Sequence, residues 1–203
     1  MSIIKYPPIS TITVGIVSAD GVILASEKIF SYSGLIISKN TQKVFSVTKN
    51  IGIAFAGISA DMTFLVNLLK SEISLFELEA RRPIGVRASV KLLSRILFSR
   101  KFVPYLALSL VGGVDERGPQ LFELDIWGSI IPHKRYAAIG FGSEPALGIL
   151  ESKVTENISL EDAENIAIDA IKFSSRRSAG TGYGADILIL QNEKPPSYRF
   201  YKF

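Results

Sequence analysis

Apolar and polar positions along the chain switch between a period of two and a period near 3.6 residues, and the switches mark out the elements. Thr11 to Val17 and Val22 to Ser26 are β-branched runs joined by Ala19-Asp20-Gly21, which predicts a hairpin. Further strands are expected at Leu35 to Ile37, Lys43 to Val47 and Ile51 to Ala56, and Gly57 closes the last of them. From Ser59 to about Leu78, the residues Phe64, Leu65, Leu68, Leu69, Ile73 and Phe76 recur at helical spacing, until Arg81-Arg82-Pro83 breaks the run. A second helix is predicted from about Gly85 to Arg100, with Val86, Val90, Leu93, Ile96 and Leu97 on one side. Strands at Tyr105 to Val114 and Gln120 to Leu124 follow, then a short pair around Gly128 and Tyr136. Gly140-Phe141-Gly142-Ser143 leads into a helix to about Glu151. Ser159 caps another that runs to about Arg176, with Asp162 where a capping box prefers a longer acid. Gly180 to Gly184 is a turn before a strand at Asp186 to Leu190, and Tyr198 to Tyr201 reads as an edge strand.

The order is strands, two helices, strands, two helices, strands. Two stacked sheets bury their facing sides against each other, and the helix pairs cover them from outside. The expected class is therefore α/β in the broad sense (α+β), a four-layer α/β/β/α sandwich. With 203 residues and no linker, repeat or low-complexity stretch, one domain is expected.

Composition removes several function classes. Hydrophobic residues make up 47% and charged residues 21%, which suits a globular protein and not a disordered one. The net charge is only +4, and the basic residues come in scattered pairs such as Arg81-Arg82 and Lys134-Arg135, so no nucleic-acid partner is expected. The absence of cysteine excludes disulfides, thiolate metal sites and a cysteine nucleophile, and fits a cytoplasmic protein. No apolar run approaches the ~20 residues of a membrane span, and residues 1–10 lack the apolar segment of a signal peptide.

A serine–histidine triad would have to use His133, the single histidine, which lies in the polar stretch Pro132-His133-Lys134-Arg135 and reads as a surface loop. Ser143 has no G-x-S-x-G context and reads as a helix N-cap. The glycines at 180–184 run from helix into strand, the reverse of a phosphate-binding loop, so no nucleotide is expected. What remains is a hydroxyl, a carboxylate and an ammonium at strand ends: Thr11, Glu27 and Lys43. A threonine at a chain terminus carries its own general base, an α-amine with a pKa of about 7.7 to 8.0. The amine takes the hydroxyl proton and the oxygen attacks a carbonyl. A neighbouring lysine favours the neutral amine and stabilises the developing alkoxide, and a carboxylate beside it keeps it charged.

The motifs T-x-T-V-G-I from Thr11, L-A-S-E ending at Glu27, S-K-N-x-x-K-V-F containing Lys43, A-G at Ala56-Gly57, P-Y-L with L-V-G-G-V-D across Pro104 to Asp115, and G-x-G-S at Gly140 to Ser143 together resemble the β-type subunits of the 20S proteasome core, in their archaeal form. The resemblance spans Thr11 to about Leu190. It implies the fold of the N-terminal-nucleophile hydrolases, with residues 1–10 as a leader and 11–203 as the folded domain. It implies Thr11 as nucleophile, Glu27 and Lys43 as its partners, Gly57 as oxyanion amide, Ser178 and Thr181 near the threonine end, and cleavage between Ser10 and Thr11. A pocket walled by Phe30, Phe45 and Phe55, narrow or filled, follows from the same matching. So do seven-membered β rings between α-type rings, unfolded polypeptide as substrate, and no cofactor.

Several positions depart from that family. Ser10 replaces the glycine that eases self-cleavage, Phe141 replaces a serine that contacts the threonine end, and Ser178 (or Arg177, on another placement of the loop) replaces an aspartate. Ile29 replaces a basic residue and Ile12 a threonine. These departures favour an unprocessed, zymogen-like and non-catalytic copy within a proteolytic particle. The retained Thr11, Glu27 and Lys43 support the alternative, an active threonine endopeptidase.

Overall fold

A computed structural model describes residues 11–32, 35–177 and 181–203. The first strands are β1 (Thr13–Val17), β2 (Gly21–Glu27), β3 (Phe30–Tyr32), β4 (Leu35–Ser38), β5 (Val44–Ser46) and β6 (Ile51–Gly57). Helices α1 (Ser59–Ala80) and α2 (Val86–Ser99) follow, then β7 (Ala107–Asp115), β8 (Gly118–Leu124), β9 (Ile130–His133) and β10 (Tyr136–Ile139). Helices α3 (Ser143–Lys153) and α4 (Leu160–Ser175) precede β11 (Gly184–Gln191) and β12 (Ser197–Lys202).

One 5-stranded sheet runs β10-β1-β2-β11-β12 and the other β5-β6-β7-β8-β9, while β3 and β4 form a separate hairpin. Period-two alternation makes the layers. On β6, Ile51, Ile53 and Phe55 pack under α1 and α2 with Leu65, Leu69, Val90 and Leu93. The alternate residues Ala54 and Ala56 face the other sheet and, with Leu110 and Leu121 of their own sheet, join Leu24 and Leu188 of the other in the core between the sheets. On β2, Ile23 and Ala25 point the opposite way, toward Ala146 and Leu150 of α3 and Ala167 and Ile171 of α4. The α/β/β/α sandwich is thus the observed architecture.

Leucines from one sheet seat against bare backbone of the other. A Cβ on Gly112 of β7 would lie 2.6 Å from Val22 Cγ1 and 3.3 Å from Leu24 Cδ2, so the sheets approach where no side chain intervenes.

Three expectations need correction. The strands near Gly128 and Tyr136 are not a pair: β9 joins β8 while β10 joins β1, because the chain crosses from one sheet to the other between them. Arg135, at the crossing, accepts a backbone hydrogen bond from Val17 at 2.7 Å. His133 is not in a surface loop; it ends β9, half-buried, with Nε2 3.0 Å from Glu123 Oε2 across the strand pair. Ser143 is not an N-cap but the first helical residue, after Gly142, and its amide is already bonded to Gly140 O at 3.1 Å. Ser159 does cap α4, accepting from Asp162 N at 3.0 Å. Its hydroxyl lies 2.6 Å from Asp162 Oδ2, the bond this shorter acid makes with the cap side chain.

Replacing Gly112 by Val is expected to cost about 1–3 kcal/mol through overpacking between the sheets. The melting temperature should fall by several degrees, whereas Gly148→Ala on α3, with nothing within 4 Å of its Cβ, should leave it unchanged or raise it. Thermal denaturation of the two variants side by side checks the contrast.

Candidate active site

Pairing of β1 with β2 sets Thr13 opposite Ser26, so the start of the first strand lies beside the end of the second. Glu27 N donates to Ile12 O at 3.2 Å, which brings Thr11 next to Glu27. Lys43 comes from the other sheet, one residue before β5, and its side chain reaches across. Its Nζ donates to Ile29 O at 2.7 Å and to Thr11 Oγ1 at 3.3 Å, and forms an ion pair with Glu27 Oε1. Glu27 Oε2 in turn accepts from Ile29 N at 2.6 Å. All three side chains are shielded from water: Thr11 is 3% exposed, Lys43 2% and Glu27 0%.

Burial is the largest influence on both charges. It pushes the Glu27 carboxyl above its ordinary range, opposed by the Lys43 charge, and pulls the Lys43 ammonium below its ordinary value, opposed by Glu27. The hydrogen bonds decide the state. Each of the three ammonium N–H groups has an acceptor in Glu27, Ile29 or Thr11, and the carboxylate has backbone donors at Ile29 and Gly182. The pair is ionic and fully satisfied, and it presents a positive charge to the Thr11 hydroxyl.

A second polar link holds the same strand ends. Thr13 Oγ1 donates to Phe55 O on the opposite sheet at 2.8 Å and lies 2.8 Å from Ser26 Oγ. Phe55 N donates to Lys43 O at 3.0 Å, closing a circuit from Glu27 through Ser26, Thr13 and Phe55 to Lys43. Sequence reasoning passed over Thr13 and Ser26. Their signal was available: hydroxyl residues at buried positions of otherwise apolar strands.

The turn at Gly140-Phe141-Gly142 clasps the main chain of Thr11. Gly140 has φ 96°, and a Cβ there would sit 2.2 Å from Thr11 O. Gly142 N donates to Thr11 O at 3.3 Å, and Gly142 O accepts from the Ser174 hydroxyl. Phe141, between the glycines, is 67% exposed. Gly57 ends β6 where a Cβ would meet Leu106 O at 2.2 Å, so the strand contact there demands glycine. Thr181 is buried in the stretch before β11. Ser10 and Ser178 lie outside the described residues. Of the three phenylalanines, Phe30 is half-buried on β3, whereas Phe45 and the fully buried Phe55 meet edge to face at 6.3 Å beneath α1 and α2. Among the described residues no group of His, Cys, Asp and Glu could hold a metal ion, and no helix is long and apolar enough to cross a membrane.

A family model described as proteasome subunit matches residues 9–190. The chain belongs to the proteasome subunit family, as one of its β subunits. It is 43% identical over 178 residues to proteasome subunit beta 2 of Caldivirga maquilingensis, covering 88% of each chain. It is also 43% identical over 189 residues to proteasome subunit beta 1 of Staphylothermus marinus, covering 93% of this chain and 88% of the relative. Proteasome subunit beta 1 of Ignicoccus hospitalis is 40% identical over 186 residues, with 92% and 93% covered. As a β subunit of the 20S core, the chain assembles with other proteasome subunits into a proteolytic particle.

Removing one partner of the buried pair, by Lys43→Met or Glu27→Leu, is expected to cost about 3–5 kcal/mol, since an uncompensated charge stays behind. The double variant should cost less than either single one. Urea unfolding of the three variants measures this, and additive losses would contradict the ionic pair described above.

Proposed function

We propose that this β subunit keeps Thr11 within the chain, unreleased, and serves as a non-catalytic wall of the proteolytic chamber. The observation that carries this reading is the turn around Thr11. It meets the threonine main chain with two glycine contacts, and the residue between those glycines, Phe141, has a side chain with no hydrogen-bonding group to offer an amine. A free α-amine at Thr11 needs such partners to be held as a base. Ser178, in place of a carboxylate, offers no charge to balance an ammonium, and Ser10 carries a Cβ where self-cleavage favours glycine. While the 10–11 peptide bond persists, the Thr11 nitrogen is an amide without useful basicity, and the chemistry stops.

Retention of Glu27 and Lys43 is consistent with silence. Loss of either leaves a buried charge alone, so the pair persists for structural reasons whether or not Thr11 reacts. In this reading the chain takes its place in a seven-membered β ring flanked by α-type rings, in the cytoplasm. Unfolded polypeptides entering the chamber are cut by sister subunits, without any cofactor.

One observation favours a second reading, an active threonine endopeptidase: the Lys43 ammonium already donates to Thr11 Oγ1. After cleavage between Ser10 and Thr11, the new amine would take the hydroxyl proton and Oγ1 would attack the substrate carbonyl. The Gly57 amide would receive the oxyanion, with Ser178 and Thr181 orienting the threonine end and Phe30, Phe45 and Phe55 facing the residue before the cut.

Intact mass of the chain taken from assembled particles separates the two. The silent reading expects the full 203 residues, apart from any loss of the initiator Met, and no change in particle peptidase activity on Thr11→Ala. A chain beginning at Thr11 would overturn it. Combining Ser10→Gly, Phe141→Ser and Ser178→Asp is expected to restore cleavage, read as loss of residues 1–10; an uncut triple variant means that the block lies in other residues.

A further inference from the structure

The chain enters β11 through three residues of positive φ: Gly182 at 128°, Tyr183 at 69° and Gly184 at 158°. Glycine takes such values freely, but a tyrosine at 69° is strained and persists only where its surroundings hold it there. The turn lies against the buried pair. Gly182 N is a backbone donor to the Glu27 carboxylate, beside Ile29 N, and Ala185, the next residue after the three, pairs with Glu27 across the strands. Tyr183 is 38% exposed, so core packing does not account for a tyrosine in this conformation.

What holds the turn comes largely from β12. Phe203 N donates to Tyr183 O at 3.3 Å, and Gly184 pairs with Lys202. The approach is close: a Cβ on Gly184 would lie 2.4 Å from Tyr201 O and 2.5 Å from Phe200 Cε2. The Tyr183 ring sits 6.3 Å from that of Phe200, with Lys202 Nζ 5.4 Å and Lys39 Nζ 5.6 Å from its centroid. Phe200 is covered in turn by Lys28 Nζ at 5.0 Å, and Lys28 pairs with Asp186 at 2.9 Å.

We propose that Tyr183 is a positioning residue for Glu27: held by β12, it fixes the turn that delivers the Gly182 amide and so keeps Glu27 the ionised partner of Lys43. Two plainer roles fit less well. A turn that served only as the entry to β11 would favour glycine or asparagine at position 183. A fastening for β12 alone needs no strained tyrosine, because that strand is already paired with β11 from Gly184 to Ile189. Of the charged groups nearby, Lys43 pairs with Glu27, and Asp186, itself paired with Lys28, acts on Lys43. The inference concerns the buried pair and not the 10–11 bond, so it stands on either reading of Thr11.

The test uses the full chain, with the Gly182 amide followed by hydrogen exchange and the Glu27 carboxyl carbon by NMR titration. Tyr183→Val introduces a β-branch that resists positive φ, and exchange at Gly182 should quicken about tenfold. The midpoint for Glu27 should rise by about one pH unit, because a donor to its ionised form is lost. Tyr183→Asn accepts the same φ and should leave both readings close to those of the unaltered chain. Removing Lys202 and Phe203, with position 183 untouched, should move both readings in the direction of the valine variant. A merely structural role would lower the melting temperature and leave the Glu27 midpoint where it was. If Tyr183→Val does not fold, the shortened chain decides by the same two readings. An unmoved Glu27 midpoint overturns the proposal, and so does an equal shift for the asparagine and valine variants.

Discussion

Lys43 and Glu27 come from opposite sheets and meet where neither touches water, and the geometry around Thr11 depends on that meeting. Two charges taken out of water are costly unless every donor and acceptor is met. The cost is offset only when β1, β2 and the segment before β5 hold their present register, with Ile29 O and Thr11 Oγ1 in reach of the ammonium. Hydrophobic packing between the sheets tolerates small slides; this pair does not. It therefore works as a gauge for the sandwich, converting loose apolar contact into one fixed spacing.

The same constraint gives the buried pair a structural reason to persist, whatever becomes of Thr11. Lysine and glutamate are kept by the cost of losing them, independently of the reaction. The reading proposed above turns on other residues, Phe141, Ser178 and Ser10, none of which belongs to the buried pair.

Much of this was legible in the chain because alternation and helical spacing are local properties. The periods placed α1, α2 and α4 within a few residues of their ends, and the strand–helix order implied four layers. Thr11, Glu27 and Lys43 were visible as polar residues at the ends of apolar strands. Sheet membership was not: whether β9 and β10 pair with each other or part company depends on contacts far away in sequence, and no local pattern records them. The inward hydroxyls of Thr13 and Ser26 were obscure for a related reason. Their value comes from Phe55 O, 42 residues from Thr13, which becomes a partner only when the sheets close.

That bond has a consequence for how such a subunit changes over time. Thr13 is tied to the main-chain carbonyl of residue 55, and Lys43 accepts from the main-chain amide of that same residue, so the anchor ignores which side chain position 55 bears. The ring of Phe55 can be exchanged for another group of suitable size under α1 and α2 while the polar links stay in place. Core packing can drift there without retuning the strand ends beside it, a separation of duties built into a single residue.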